Sequence, residues 1–250
     1  DAEFFHLVLH SEVAMKIAIV DERISDACAW SLEKYGFGLI RIKKYSRLGE
    51  GVYSHPDMIM FAHGKNVITS ADYCEEFPYI FSDIREFLPE VSITFTSDIQ
   101  GHDYPRDAIF NALTVENKIF LKADSISPAV IGYAKRASLK QINVRQGYPA
   151  CSVLSFGNSA ITADAGMARA LENEGVNVTL IRAGGISLPP FEYGFIGGAC
   201  GVFEDRVYFL GDYKTHPDRD LIEKAIKEEN YTPVSLSSEP LCDLGRIIFL

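Results

Sequence analysis

The sequence predicts an α/β fold, a five-bladed propeller in which strand–strand–helix–strand (ββαβ) units surround one axis with pseudo-fivefold symmetry. The first observation is a repeat, because the same order of elements recurs along the chain at steps of 50, 44, 49 and 45 residues. The first strands of the units are expected to begin at Met58, Ala108, Ser152, Gly201 and Arg246. Repeats of this length are typical of solenoids, arrays and propellers.

The second observation is that the two ends of the repeat complement each other. The repeat opens with a lone strand (16–20), a helix and another strand, whereas the last unit stops after one strand. Each end supplies what the other lacks, so we expect a ring closed by the N-terminal and C-terminal strands. Residues 1–14 precede this pattern, and we interpret them as a leader or extension and residues 15–250 as one domain.

The helices of the units follow from capping signals and apolar periodicity. In the second unit, apolar residues at helical spacing predict a helix with one buried face: Phe77, Ile80, Phe81, Ile84 and Phe87. In the fifth unit the same pattern recurs: Leu221, Ile222, Ala225 and Ile226. Because one unit cannot bury its own helix and sheet faces, the units are expected to do so together.

The third unit shows every element of the repeat. Two β-rich runs, 108–113 and 118–122, flank a Glu116-Asn117 turn and predict a hairpin. Ser127-Pro128 then supplies an N-cap followed by proline at the first helical position. The predicted helix continues to about residue 137 and is followed by a strand over 141–144.

Composition limits the kinds of partner. The chain is 47% hydrophobic and 23% charged, which is ordinary for a soluble globular protein. A net charge of −10 disfavours a nucleic-acid partner and suits a small cationic molecule. No apolar run reaches the roughly 18 residues of a membrane span, so no membrane partner is expected. The five cysteines form no CxxC pair, which indicates reduced thiols and a cytoplasmic location. The oligomeric state is left open.

No cofactor or metal is expected from the motifs. The glycine-rich segment 194–201 is similar to a dinucleotide-binding loop, but it leads into a predicted strand and hairpin instead of following a strand and opening a helix. Its glycines are expected to let the backbone approach the axis closely. The histidines, cysteines and aspartates show no metal-ligand spacing.

The repeat order, over residues 15–250, resembles that of the pentein superfamily. This superfamily includes arginine deiminase, agmatine deiminase, dimethylarginine dimethylaminohydrolase and the amidinotransferases, and also a non-catalytic translation factor that keeps ribosomal subunits apart. The segment Tyr104-Pro105-Arg106-Asp107 looks like the Arg-Asp dipeptide with which many of the guanidine-modifying members lead into a core strand. The resemblance implies an α/β propeller with a central site for a small, arginine-like cation.

The resemblance also assigns binding residues. It places Asp107, with Arg106 beside it, against the substrate guanidinium, because a planar cation with forked donors is best met by a bidentate carboxylate. Asp57 leads into the preceding blade at the equivalent position, and Asp243 leads into the last strand. The alternative for Arg106 and Asp107 is a structural ion pair at the end of a strand.

The catalytic residues of the family are harder to place. The family's hydrolases use a histidine before the fourth blade and a cysteine before the last strand. Here the segment 146–151 contains no histidine, and alignment of the last strand puts Gly245 in the place of the nucleophile. Cys242 is the candidate nucleophile if the loop shifts by three residues; otherwise it is a small buried hydrophobe. Among the histidines, His55 and His102 are the candidates to reach a central pocket.

The remaining cysteines and histidines receive structural interpretations. Cys151 and Cys200 occupy matching positions before two strands, which favours a shared packing role. His63 lies near a hairpin turn and His216 precedes a helix.

Two functional hypotheses therefore stay open. One is a guanidine-modifying-type enzyme, a C–N hydrolase or amidinotransferase relative, with a central small-cation site. The other is a non-catalytic pentein that acts as a ligand-binding or protein- or ribosome-interaction module.

Overall fold

The computed structural model describes residues 16–250, which form five three-stranded sheets with helices between them. Residues 1–14, expected to be a leader or extension, lie outside the described residues. In each of the five sheets the middle strand pairs antiparallel with one neighbour and parallel with the other. The sheets therefore repeat one pattern of pairing, as the sequence predicts.

The first sheet joins the two ends of the described chain. Its elements are β1 (Lys16–Asp21), α1 (Asp26–Lys34), β2 (Phe37–Ile42) and the last strand, β15 (Ile248–Phe249). Strand β1 pairs parallel with β2 and antiparallel with β15, with Ala18 opposite Phe249. The C-terminal strand thus completes the sheet that the N-terminal strand begins.

The second and third sheets each follow a full ββαβ unit. The second unit contains α2 (Pro56–Ile59), β3 (Met60–His63), β4 (Asn66–Ser70), α3 (Ala71–Glu76), α4 (Pro78–Phe87) and β5 (Ser92–Thr96). The third contains a 3-10 turn (Arg106–Ala108), β6 (Leu113–Val115), β7 (Lys118–Leu121), α5 (Pro128–Arg136) and β8 (Lys140–Asn143). The Ser127 hydroxyl accepts from the Ala129 amide, so the predicted N-cap of this helix is present.

The fourth and fifth sheets repeat this order. The fourth unit contains α6 (Pro149–Ser152), β9 (Val153–Phe156), β10 (Ser159–Thr162), α7 (Ala165–Glu172) and β11 (Asn177–Leu180). The fifth contains β12 (Cys200–Phe203), β13 (Arg206–Phe209), a 3-10 turn (Tyr213–Thr215), α8 (Arg219–Glu228) and β14 (Thr232–Ser235). In α8 the residues Ile222, Ala225 and Ile226 are buried as predicted, whereas Leu221, which was predicted to share their face, is exposed.

The predicted strand starts need correction, because a short helical turn precedes several first strands. The strands begin at Met60, Leu113, Val153, Cys200 and Ile248. Residues 56–59 and 149–152 are single helical turns that begin with a proline, and 106–108 is a 3-10 turn after Pro105. Proline fits the first helical position because its missing amide hydrogen has no partner there. These turns carry the side chains that face the axis.

The first strands of neighbouring blades contact each other in sequence, β6 with β9, β9 with β12 and β12 with β15. The apolar core lies between the blades, in clusters that join the sheet of one blade to the helices and strands of the next. Within the part of the chain that the structure describes, no helix is long and apolar enough to span a membrane.

Candidate functional site

A cavity of about 300 Å³ lies where the segments before the first strands converge. Its polar lining comes from four such segments and consists of His55, Asp107, Tyr148, Cys151 and Asp243. Its apolar lining comes mainly from the long connection between β11 and β12 and consists of Val52, Met58, Leu188, Phe191, Tyr193 and Phe195. The same connection also contributes the acidic residue Glu192. Carboxylates and aromatic rings therefore share one concave site, which is the usual composition of a small-molecule pocket.

Asp107 is held in this cavity by the 3-10 turn before β6. The Gln100 amide donates to the backbone carbonyl of Asp107 at 2.8 Å and fixes the turn. The Tyr148 hydroxyl donates to Oδ2 of Asp107 at 2.9 Å, whereas Oδ1 is buried without a hydrogen-bond partner among residues 16–250. Burial raises the pKa of Asp107, and the Tyr148 hydrogen bond acts against that shift. One carboxylate oxygen is therefore free to accept from a ligand.

Asp243 is the second cavity carboxylate, and backbone amides orient it. Its oxygens accept from the amides of Phe195 at 2.8 Å and Gly245 at 3.0 Å. Gly198 lies so close that a Cβ atom there would overlap the carboxylate, which explains a glycine in this segment. Burial raises the pKa of Asp243 to about 7, and the charge of Asp57 contributes to the rise.

His55 is buried between two carboxylates and one guanidinium. Its Nδ1 lies 3.2 Å from an Nη atom of Arg23, and its Nε2 lies 3.4 Å from Oδ1 of Asp243. Arginine can only donate, so Nδ1 accepts and the proton of the neutral ring is on Nε2, directed toward Asp243. Burial lowers the pKa of His55 to about 3, although the carboxylate of Asp21 acts in the opposite direction. The ring is thus neutral over the physiological range.

Cys151 lies at the floor of the cavity and joins it to Asp57. The thiol donates to Oδ2 of Asp57 at 2.8 Å, and the Asn111 amide donates to the sulfur at 3.2 Å. Burial raises the pKa of the Cys151 thiol well above its ordinary value, and the Asp57 and Asp243 carboxylates raise it further. Burial also raises the pKa of Asp57 to about 6. The thiol is therefore protonated and is a weak nucleophile.

A second, smaller cavity of about 140 Å³ is lined by the first strands themselves. Asp57 and Arg246 line it together with apolar residues from β3, β6, β12 and β15. Asp57 thus lies behind the floor of the larger cavity, with its hydrogen-bond partner Cys151 facing the other side.

The structure brings three of the predicted site residues together and separates the others. Asp107, His55 and Asp243 line the larger cavity, and Asp57 reaches it only through Cys151. Arg106 is exposed and does not line the cavity, and among the described residues it makes no salt bridge with Asp107. The alternative ion pair between Arg106 and Asp107 is therefore absent among the described residues, and the predicted substrate contact of Arg106 stays a prediction.

The expectation that Cys242 reaches the axis is corrected. The Cys242 amide donates to the Leu210 carbonyl at 3.0 Å, and its neighbour Asp243 donates to Ser187 at 2.9 Å. Successive side chains of an extended segment point to opposite sides, so Asp243 faces the cavity and Cys242 faces away. Burial raises the pKa of the Cys242 thiol to about 11. It is not a nucleophile of this cavity.

Gly245, the residue aligned with the family's nucleophile, has neither a side chain nor space for one. Its φ of +69° lies in the left-handed region, and a Cβ atom there would overlap the Cα and Cβ atoms of His55. The other histidines within residues 16–250 do not line the cavity. His102 is exposed and pairs with Asp103, and His63 contacts the Tyr133 hydroxyl at 2.7 Å. His216 is buried and accepts from the Asp218 amide.

Sequence reasoning missed Tyr148, Cys151 and the aromatic connection 188–195. As expected, Cys200 and Cys151 are each buried in an apolar cluster, and Cys200 contacts the Ile196 carbonyl at 3.1 Å, but Cys151 also lines the cavity. The available signal was the position of both Tyr148 and Cys151 in the segment that leads into the fourth blade. Within residues 16–250, no cluster of three or more histidine, cysteine or acidic residues is arranged to hold a metal ion.

Comparison with solved structures gives matches that cover most of both chains. Dimethylarginine dimethylaminohydrolase from Pseudomonas aeruginosa, a mutant in complex with citrulline, has a TM-score of 0.56 and 11% identity, covering 90% of this chain and 92% of that chain. The amidinotransferase SxtG from Microseira wollei, of the saxitoxin biosynthetic pathway, has a TM-score of 0.52 and 11% identity, covering 90% and 89%.

The N-terminal domain of the arginine dihydrolase ArgZ from cyanobacteria is similar at a TM-score of 0.51 and 12% identity, and 91% of each chain is covered. At these identities the similarity shows the fold, which is that of the pentein superfamily. A sequence comparison with curated proteins gives no match. A family model described as a family of unknown function, DUF6873, matches residues 19–248. The chain therefore belongs to the DUF6873 family and has the pentein fold.

Proposed function

We propose that the larger cavity binds a small organic cation through a guanidinium or amidinium group. The observation that carries this proposal is the carboxylate of Asp107, which belongs to a cavity-lining residue and whose buried Oδ1 has no hydrogen-bond partner among residues 16–250. A planar cation with forked donors is the group that best satisfies such a carboxylate. The rings of Phe191, Tyr193 and Phe195 offer faces against which the same cation can stack.

The charges of the site support a cationic ligand. Burial raises the pKa values of both Asp107 and Asp243, which means that ionisation of these carboxylates is unfavourable in the ligand-free protein. A bound cation would supply the missing counter-charge and restore ionisation. A ligand that relieves this cost gains affinity that an equivalent neutral molecule does not.

The most direct test is calorimetric titration with butylguanidine at pH 8, with butylurea as the neutral ligand of nearly the same shape. Butylguanidine should bind and butylurea should not. Asp107→Asn should weaken binding by about tenfold or more, since a hydrogen bond to a charged group contributes about 1.5–3 kcal/mol. The matched control is Asp220→Asn, which removes an exposed carboxylate outside the cavity lining and should leave affinity unchanged. Failure of the wild-type protein to bind butylguanidine would exclude the proposed function.

A second candidate function, covalent chemistry at Cys151, is favoured by one observation. Cys151 is the cavity-lining thiol, and its hydrogen bond to Asp57 provides an acceptor for the proton that the thiol must lose to become a thiolate. The raised pKa of this thiol weighs against it, so we place simple binding first.

Labelling with chloroacetamidine, which carries an amidinium, separates the two candidates. Saturable modification of Cys151, blocked by butylguanidine and absent with neutral chloroacetamide, would favour covalent chemistry. Cys151→Ser is the variant that identifies the modified sulfur by mass spectrometry. If chloroacetamidine modifies Cys151 no faster than chloroacetamide does, covalent chemistry is excluded and only the binding function is supported.

A further inference from the structure

The charges along the larger cavity all have one sign. Asp107 and Asp243 lie at its inner part, and Glu192, which is exposed, lies in the aromatic connection at its outer part. Among residues 16–250, no lysine or arginine lines this cavity. Residues 1–15 contain no lysine or arginine, so that segment supplies no such side chain either.

The partly buried cation Arg23 does not line the cavity. The Arg23 guanidinium makes a 2.6 Å ion pair with Asp21 and also donates to the Gly51 carbonyl at 2.8 Å. The ring of His55 separates it from Asp243. His55 itself is held neutral by burial and cannot serve as a counter-ion. A negative group on a ligand would therefore meet three acidic side chains and no lysine or arginine in the described lining of the cavity.

Glu192 has a free carboxylate at the other end of the site. It makes no side-chain hydrogen bond or salt bridge with any residue of the described chain. Its neighbours Phe191 and Tyr193 are both about half exposed and line the same cavity. An aliphatic spacer can lie against these rings with its inner end at Asp107 and its outer end near Glu192.

We infer that the ligand is a guanidinium or amidinium compound without a carboxylate, and that Glu192 recognises a second cationic group at its outer end. This inference rests on the proposed function and names the class of ligand. The site selects by repulsion as well as by attraction, because an α-carboxylate would lie among unpaired acidic groups. Amino-acid guanidines such as arginine are thereby disfavoured, and dicationic guanidino-amines are preferred.

The test compares three ligands with the same four-carbon or closely related spacer. Butylguanidine carries only the guanidinium, agmatine adds an ammonium, and arginine adds both an ammonium and a carboxylate. Agmatine should bind more tightly than butylguanidine, and arginine should bind on the order of tenfold more weakly than agmatine, since juxtaposed like charges carry a large penalty. These affinities are measured by calorimetry at one pH and ionic strength.

Two variants locate the effect at Glu192. Glu192→Gln should weaken agmatine about two- to fivefold, the worth of an exposed ion pair, and leave butylguanidine unchanged. Glu192→Lys should weaken agmatine further and strengthen arginine, because it places a cation at the outer end of the site.

The outcomes separate this inference from the proposed function. If butylguanidine binds and depends on Asp107, yet arginine binds as tightly as agmatine, the inference is wrong and the proposed function stands. Equal weakening of agmatine and butylguanidine by Glu192→Gln would also overturn it. If butylguanidine does not bind at all, the proposed function fails and this inference fails with it.

Discussion

The backbone and Cβ atom of His55 occupy the space into which a side chain at Gly245 would project. Gly245 is the residue that aligns with the nucleophile of the guanidine-modifying penteins, and its φ is +69°. The site therefore lacks the usual thiol for two reasons, one steric and one conformational. A cysteine there would require both a left-handed backbone and displacement of a buried histidine.

Gly245→Ala is expected to destabilise the protein strongly. A left-handed conformation costs a non-glycine residue roughly 1–2 kcal/mol, and overpacking against His55 adds about 1–3 kcal/mol. Gly175→Ala is the matched control, since Gly175 has a φ of +76° but nothing within 4 Å of an added Cβ atom. Urea unfolding should show the larger loss of free energy for Gly245→Ala. Equal losses would show that the site has room for a side chain.

Binding of a cation is expected to strengthen with rising pH. The folded protein holds Asp243 with a pKa of about 7, and a cationic ligand binds the ionised carboxylate better than the protonated one. Affinity for butylguanidine should therefore rise about three- to tenfold between pH 6 and 8, with proton release on binding at pH 6. Titration in buffers of different ionisation enthalpy measures this release. An affinity that is constant across this range would place the cation away from Asp243.

The stability of the fold should depend on His55 with a definite sign. The pKa of His55 is lowered from 6.5 to about 3, so the unfolded chain binds a proton that the folded protein does not. Its stabilising contribution is present above pH 6.5 and is lost as the pH falls toward 3. His55→Gln removes this dependence. The free energy of unfolding of His55→Gln minus that of the wild type should thus be larger at pH 5 than at pH 7.5.

The titration of Asp243 changes the stability with pH in the opposite direction, but it does so in both the wild type and His55→Gln. Its raised pKa gives a contribution that is present below pH 3.8 and lost as the pH rises through about 7. Because Asp243 is retained in both proteins, the difference between wild type and His55→Gln isolates the histidine. A pH-independent difference would mean that the pKa of His55 is the same in the folded and the unfolded protein.

The reactivity of Cys151 should depend on its carboxylate neighbour. Asp57 raises the pKa of this thiol both by its charge and by accepting its proton in a hydrogen bond. Asp57→Asn should therefore speed the alkylation of Cys151 by neutral iodoacetamide at pH 8, followed by mass spectrometry. Cys242, which is half-buried and away from the site, provides the internal control within each sample. An unchanged rate at Cys151 would show that access, not ionisation, limits the reaction.

The repeat could be predicted from the sequence because each unit carries strong local signals. Ser127-Pro128 marks the start of α5 in the third unit. Ile80, Phe81 and Ile84 mark the buried face of α4 in the second unit. The starts of the first strands could not be predicted as well. A short buried helical turn and a short buried strand are both apolar, and periodicity does not distinguish them over four residues.

The site was predictable only where a residue's position in the repeat fixed its direction. Asp107 precedes a core strand and faces the cavity as expected. Cys242 and Asp243 are adjacent, and a shift of one residue in an extended segment exchanges which of them faces the axis. The aromatic residues near Phe191 belong to the connection 181–199 between β11 and β12, and the connections at this place differ in length from unit to unit. No repeat pattern could place them.

The pairing of β1 with β15 has a consequence for the order in which the molecule is built. Among the described strands β1 is synthesised before the others, but it obtains its antiparallel neighbour only after residues 248 and 249 have been made. Asp243, and the Gly245 amide that orients it, are added shortly before that strand. The other four sheets can form earlier, whereas the first sheet and the binding cavity are completed together once this segment has been made.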